Sequence, residues 1–137
     1  MEDLFARTVF FSSDAPRSLA FYTERLGFEL DWNFEHEGRA FIFQVSLQGF
    51  SLIVNQAEGW TEARPGCGRV FVGLDHDQAE FFRRHLKQFS IATQVTHWGE
   101  PTIVIQDPDG NELFFWYPED EREELRSDVI SVGELKS

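Results

Sequence analysis

Few side chains in this chain could do chemistry, and they are scattered. His36, His76, His85 and His97 fall in a predicted turn, a helix cap, a helix and a strand end, with no shared ligand spacing. A divalent metal needs deprotonated oxygen or sulfur donors, or neutral imidazoles, converging on one point. Each histidine therefore reads as solvated or hydrogen-bonded rather than ligating. Cys67 stands alone between Gly66 and Gly68, which excludes an internal disulfide and any cysteine-based zinc site. No basic neighbour activates it, no serine sits in a nucleophile elbow, and phosphate-loop and nucleic-acid motifs are absent. What remains is the polar turn Asp107-Pro108-Asp109-Gly110-Asn111, with Glu112 and the run Leu113-Phe114-Phe115-Trp116-Tyr117 directly behind it, and two arginines, Arg7 and Arg69. In the turn Pro108 presets φ, Asp109 tolerates the left-handed region, and Gly110 takes positive φ without steric cost.

Positioning falls to a pattern that occurs twice. Residues 7–11 read as a strand ending at Ser12-Ser13-Asp14. Asp14 is an N-cap, and Pro16 lies in the first helical turn, where a missing N–H costs nothing. Leu19, Tyr22 and Leu26 recur at helical spacing as a buried stripe, and Gly27 takes the left-handed C-cap. Strands follow over 29–35, 40–47 and 50–55, with turns at His36-Glu37-Gly38 and Gln48-Gly49. The second pass has a strand over 69–74 and a helix capped by Asp75 or Asp77. Ala79, Phe82, Leu86 and Phe89 share one face of that helix, and strands follow over 90–97, 102–106 and 111–117. Arg7 and Arg69 are 62 positions apart, as are Leu52 and Phe114, while Gly49 and Gly110 are 61 apart. An internally duplicated β-α-β-β-β unit accounts for this register; an undivided α+β sandwich would not. The expected fold is α+β, with two β-α-β-β-β modules in a single domain over 1–118. Module one spans 5–55, the linker 56–68 and module two 69–118. Residues 119–137 read as an acidic tail, helical or frayed, with no chemistry.

The net charge of −12, from 24 acidic and 12 basic residues, opposes binding to a phosphate backbone. The tail from Glu119 carries seven acids and three bases, so −8 remains on the domain to attract cationic ligands. A chain of 137 residues buries roughly two-thirds of its unfolded surface, so it needs no metal or disulfide to fold. No apolar run approaches membrane length and the first residues are acidic, so a cytoplasmic protein with no membrane partner is expected. Fifteen Phe and four Trp exceed what a small core demands; the surplus could line a cavity for flat ligands.

The segment Phe21-Tyr22-Thr23-Glu24-Arg25-Leu26-Gly27-Phe28, taken with Asp107-Pro108-Asp109-Gly110-Asn111, resembles the two signature segments of the vicinal oxygen chelate superfamily. That superfamily includes glyoxalase I, bleomycin-resistance proteins and extradiol dioxygenases. The resemblance covers residues 5 to about 118. It implies that the two modules curl into a cup-like sheet whose first and last strands supply inward residues. In metal-dependent members these are His, Glu or Gln. Laid on that pattern, the four positions here are Arg7, Leu52, Arg69 and Phe114, none of which has a lone pair to give. The resemblance therefore points to the metal-free branch, in which dimers hold an aromatic, cationic drug in clefts at their interface and no cofactor is used. Trp98-Gly99 is similar to a Trp-Gly that lines the drug cleft there, at a spacing about one residue longer here.

Strand alternation then nominates the walls. Arg7, Val9 and Phe11 share one face of the first strand, Leu52 and Val54 of the fourth, Arg69 and Phe71 of the fifth, Phe114 and Trp116 of the eighth. Trp32, Phe34, Phe41, Phe43 and Trp60 could close the rim. The expected ligand-binding set is Arg7, Phe11, Trp32, Phe41, Leu52, Arg69, Phe71, Trp98, Phe114 and Trp116, with no catalytic and no metal-binding residue. Core packing competes for every Phe in that set, and Trp98 and Trp116 stand evenly between the two roles. Two guanidiniums in one poorly solvated cleft would need anions, either Glu112 and Asp31 or a ligand carboxylate or phosphate. The function expected is binding of a small aromatic molecule, an antibiotic among the candidates, by a homodimer. The alternatives are a divergent metal-dependent lyase, isomerase or dioxygenase of the same superfamily, and a structural dimer whose cleft is filled.

Overall fold

Alternation along the first strand, β1 (Thr8–Ser12), sets the plan: Phe10 and Ser12 are buried, while Val9 is 45% exposed. The computed structural model describes residues 6–58, 64–96, 102–116 and 131–135. After β1, Asp14 caps helix α1 (Ala15–Ala20) by accepting from the Arg17 amide, with Pro in the first turn. The helix winds into a π-helical turn over Phe21–Arg25, which keeps Tyr22 and Leu26 on the face begun by Ala15 and Ser18. Gly27 (φ +78) ends it, because the His85 ring stands 2.8 Å from where a Cβ would be.

Strands β2 (Glu29–His36), β3 (Arg39–Leu47) and β4 (Phe50–Gln56) complete a sheet of order β1-β4-β3-β2, with β1 and β4 parallel. Strand β5 (Arg69–Gly73) and helix α2 (His76–Gln88) open the second module. Asp75, not Asp77, caps α2, in a reciprocal capping box with Gln78. Strands β6 (Thr93–Thr96), β7 (Thr102–Gln106) and β8 (Glu112–Trp116) follow, giving order β5-β8-β7-β6, the same as in module one. The two β-α-β-β-β modules expected from the repeat are present.

Three local expectations change. Phe89 lies past the end of α2 and is 40% exposed, leaving Ala79, Phe82 and Leu86 as the buried stripe. The following strand begins at Thr93 rather than at residue 90, because Ser90 takes φ +50 at the helix exit and the Ile91 amide bonds back to the Leu86 carbonyl. The tail contributes a strand, β9 (Ser131–Leu135), which pairs in parallel with the outer edge of β6.

One core cluster runs through both modules within the chain, from Phe10, Tyr22, Phe43 and Leu52 to Phe82, Leu113 and Phe115. Each such large side chain, fully buried, contributes roughly 1.5–3 kcal/mol. The helices end against each other. His85 Nε2 lies 2.6 Å from the Arg25 carbonyl oxygen, and the Arg25 guanidinium reaches the Phe89 carbonyl at 3.5 Å. A basic side chain from each helix thus meets the terminal carbonyls of the other.

Candidate functional site

The side of each sheet turned away from the helices is a face on which functional groups can stand. On the first sheet, Phe10 pairs with Val54 and Thr8 with Leu52, and Leu52 and Val54 belong to the core. The open face is therefore Val9 beside Ile53 and Phe11 beside Asn55, continued on β3 by Ile42, Gln44 and Ser46. On β2, Trp32 opposite Gln44 and Phe34 opposite Ile42 extend it, at 42% and 62% exposure. Asp31 accepts from Gln44 Nε2 and Ser46 Oγ, at 2.8 and 2.9 Å, and so is tied to its own sheet rather than to an arginine. Asn55 Oδ1 is buried with no hydrogen-bond partner, a polar atom this face leaves unsatisfied.

On the second sheet the open face carries Arg69, Phe71 and Gly73 beside Glu112, Phe114 and Trp116. Val104, Thr102 and Gln106 flank them on β7. Arg69 Nε lies 2.9 Å from Glu112 Oε1, and its guanidinium carbon lies 6.0 Å from the centre of the Phe114 ring. Gln106 Nε2 reaches Glu112 Oε2 at 3.4 Å. Of the two ways to satisfy an arginine here, pairing within the chain is the one found for Arg69. Its side chain remains 69% exposed, so the pair is screened and worth about 1 kcal/mol at most.

Among the residues nominated from the sequence, Arg7, Phe11 and Trp32 stand on or at the head of the first open face. Arg69, Phe71, Phe114 and Trp116 stand on the second. Leu52 does not belong with them: it is 0% exposed and faces the helix. Val54 and Phe43 are buried in the same core. The error is a one-residue slip, which in a strand exchanges the two faces. Thr8 pairs with Leu52 and Val70 with Leu113, so the first strands are related by 62 positions and the last by 61. The counterpart of Phe114 is Ile53, as the 61-residue separation of Gly49 and Gly110 already indicated. Phe41 lies at a register shift of the β2–β3 pairing, where strict alternation lapses, and its ring meets the His36 ring edge-on at 5.7 Å. Trp60 and Trp98 lie outside the described residues.

A divalent cation does not fit the corrected positions. Arg7 and Arg69 have no lone pair, Ile53 and Phe114 are hydrocarbon, and the nearby carboxylate, Glu112, is held by Arg69 and Gln106. Among the described residues, no three His, Cys, Asp or Glu side chains gather as a metal site.

The polar turn that stood out in the sequence joins the modules. Asp107 is 5% exposed, and four donors converge on its carboxylate: the Tyr22 hydroxyl, the Asn111 side-chain amide and backbone amide, and the Asp109 amide, at 2.9–3.0 Å. Asn111 also donates to the Phe11 carbonyl at 3.0 Å and accepts from the Gly68 amide at 2.8 Å. Asp109 accepts from the Ser12 hydroxyl at 2.9 Å and from both the amide and hydroxyl of Ser13, with Arg17 3.6 Å away. Gly66 (φ +86) lies so close to the turn that a Cβ would run into the Asp109 carbonyl oxygen. Sequence reading missed this role, since its partners are up to 100 positions away.

Burial pushes the Asp107 carboxyl above its ordinary value, although hydrogen bonds from Asn111 and Tyr22 oppose the shift. Burial, then the Asp107 charge, raises the Tyr22 hydroxyl well above its usual range. For Asp109 burial also pushes upward, but the Ser13 and Ser12 hydrogen bonds and Arg17 outweigh it, and its carboxyl falls below the ordinary value. A carboxyl lowered on folding stabilises fully above its unfolded value, and that contribution is lost as pH falls through the folded value. Urea unfolding of the chain and of Asp109→Asn should therefore differ in stability by a constant amount between pH 5 and 7, and converge toward pH 3. A difference independent of pH over that range would contradict the assignment.

Residues 4–115 match the family model of the Glyoxalase/Bleomycin resistance protein/Dioxygenase superfamily. A search of curated protein sequences found no match. The fold is similar to that of the bleomycin-binding protein from bleomycin-producing Streptomyces verticillus, solved with copper(II)-bleomycin. Identity is 19%, with 87% of this chain and 99% of that chain covered and a TM-score of 0.62. It is also similar to TnmS3, an antibiotic-binding protein from Streptomyces sp. CB03234 (22% identity, 87% and 100% covered, TM-score 0.59). Lactoylglutathione lyase from Agrobacterium tumefaciens shares it too (16% identity, 85% and 94% covered, TM-score 0.60).

Proposed function

The chain belongs to the Glyoxalase/Bleomycin resistance protein/Dioxygenase superfamily, and on that premise we propose that it is a binding protein of the group rather than an enzyme. Its ligand is a small aromatic molecule, an antibiotic among the candidates, held without a metal between two copies of the chain. The observation that carries this reading is the exposed hydrocarbon on the open faces: Val9, Trp32, Phe34 and Phe71 are 42–62% exposed. Side chains of this size standing together on sheet faces are the surface that flat ligands and protein partners cover. The hydrogen bonds joining the modules lie at the polar turn and the helix ends rather than on the open faces; on the second face Phe114 and Val104 are already covered within the chain, at 3% and 1% exposure, and Phe71 is the exposed ring.

Charge supports the same reading. The net charge of −12 draws cations toward the protein, and Glu112 keeps Arg69 from presenting a bare positive charge. The donor chemistry at the four family positions argues against the metal-dependent alternatives. The lone thiol, Cys67, suits a reducing cytoplasm.

Thermal-shift screening against glycopeptide antibiotics and small carboxylates, in the presence of EDTA, tests the proposal. A ligand at 100 times its dissociation constant should add about 2.7 kcal/mol of stability. The same ligand should quench tryptophan fluorescence at one site per chain, and light scattering should give twice 15.9 kDa. Stoichiometric nickel, manganese or iron in the purified protein, with turnover that depends on it, would overturn the reading.

A further inference from the structure

The duplication creates two seams where a hairpin turn of one module meets the first strand and helix of the other, and they are finished differently. At the first seam the turn from Asp107 to Asn111 fills the space, with the Tyr22 hydroxyl and the Ser12 and Ser13 groups bonded to its carboxylates. At the second seam the corresponding turn between β3 and β4 is only Gln48-Gly49, and Phe82 takes the place of Tyr22 on the buried helix face. Phe82 has no hydroxyl to offer and the short turn has no carboxylate. The result is a cavity of about 230 Å³, walled by the rings of Phe50, Phe81, Phe82 and Phe115, with Gln48 and Gln78 supplying polar groups. It lies on the helix side of the sheets, away from both open faces.

We infer that this seam cavity binds a small neutral arene of one or two fused rings bearing a single hydrogen-bonding group. Size sets the upper limit. An apolar cavity of roughly 150 Å³ holds benzene, and pockets for drug-sized ligands begin near 300 Å³. Neutrality follows from the lining, which contains no ionisable side chain, so a charged ligand would lose water with nothing to replace it. Aromaticity follows from the rings. Phe81, 48% exposed, and the partly buried Phe50 offer ring surface to a ligand, with the Phe82–Phe115 pair behind them, tilted 32° at 4.3 Å.

Indole, titrated into the isotope-labelled full chain and followed by amide chemical shifts, tests this. Saturable shifts are expected at residues 47–50, 72–74 and 78–82 and at Phe115, without matching shifts along β1 or β2 or at Arg69 and Phe71. Leu47→Trp, which fills the cavity, and Phe81→Ala, which removes a wall that is already 48% exposed, should each weaken binding at least tenfold. Should Leu47→Trp fail to fold, Phe81→Ala decides alone. The inference is overturned if millimolar indole produces no saturable shift, if the shifts map to the open faces, or if the folded variants bind as the parent does. Because the mapped residues, Gly73 apart, differ from those of the open faces, failure here leaves the proposed function standing, and the reverse also holds.

Discussion

Replacing Asp107 with alanine should lower the melting temperature by on the order of 10 °C, a loss of roughly 3–5 kcal/mol. Four donors point at this carboxylate from three residues of both modules. Deletion leaves the Tyr22 hydroxyl and the Asn111 backbone amide buried without the acceptor they share, which costs more than the hydrogen bonds themselves contribute. Asp107→Asn should fall between, because its amide nitrogen presents a donor where donors converge. Calorimetric melts of the three proteins, with urea unfolding as a second probe, would measure the order. A loss below about 1 kcal/mol for the alanine variant would show that the turn is not a principal joint.

The second large effect concerns the open faces. Trp32→Ala and Phe71→Ala together should reduce affinity for any ligand found by screening at least a hundredfold, about 2.8 kcal/mol, while changing the stability of the isolated chain little. The separation of the two effects follows from exposure: Trp32 is 42% and Phe71 58% exposed in the single chain, so little burial is lost on truncation. Each single variant should show a substantial part of the loss, because one residue stands on each sheet and the proposed cleft between two copies would draw on both. Isothermal titration calorimetry with scattering on the same samples would report affinity and assembly together. Undiminished binding in the double variant would remove the open faces from the site.

What could be read from the sequence was what is locally determined. Asp14 and Asp75 do their work within four residues of where they stand, and the turn at Gly110 is closed by its own neighbours. The succession of elements along the chain followed from the repeat, because two copies of one unit fold alike; the order of strands within each sheet did not. The site was harder, because a strand has two faces and a slip of one residue exchanges them. Leu52 was nominated at a separation of 62 from Phe114, although the neighbouring glycines are 61 apart; the structure puts Leu52 in the core and Ile53 on the open face. Phe41 sits where the β2–β3 register shifts, so alternation along β3 does not by itself assign its face. The partners that tie Asp107, Asp109 and His85 to the other module, Tyr22, Ser12 and Arg25, are 60 to 97 positions away, and no local pattern names them. Strand β9 pairs with β6 across nearly 40 positions, in a tail whose composition reads as solvated.

The stretch that identifies this chain to the eye, from Asp107 to Asn111, is a fastening between halves. Chains that share it inherit a common chassis and are free to differ in trade. A lactoylglutathione lyase and a bleomycin-binding protein share this fold, so the fastening alone does not name the trade of this chain.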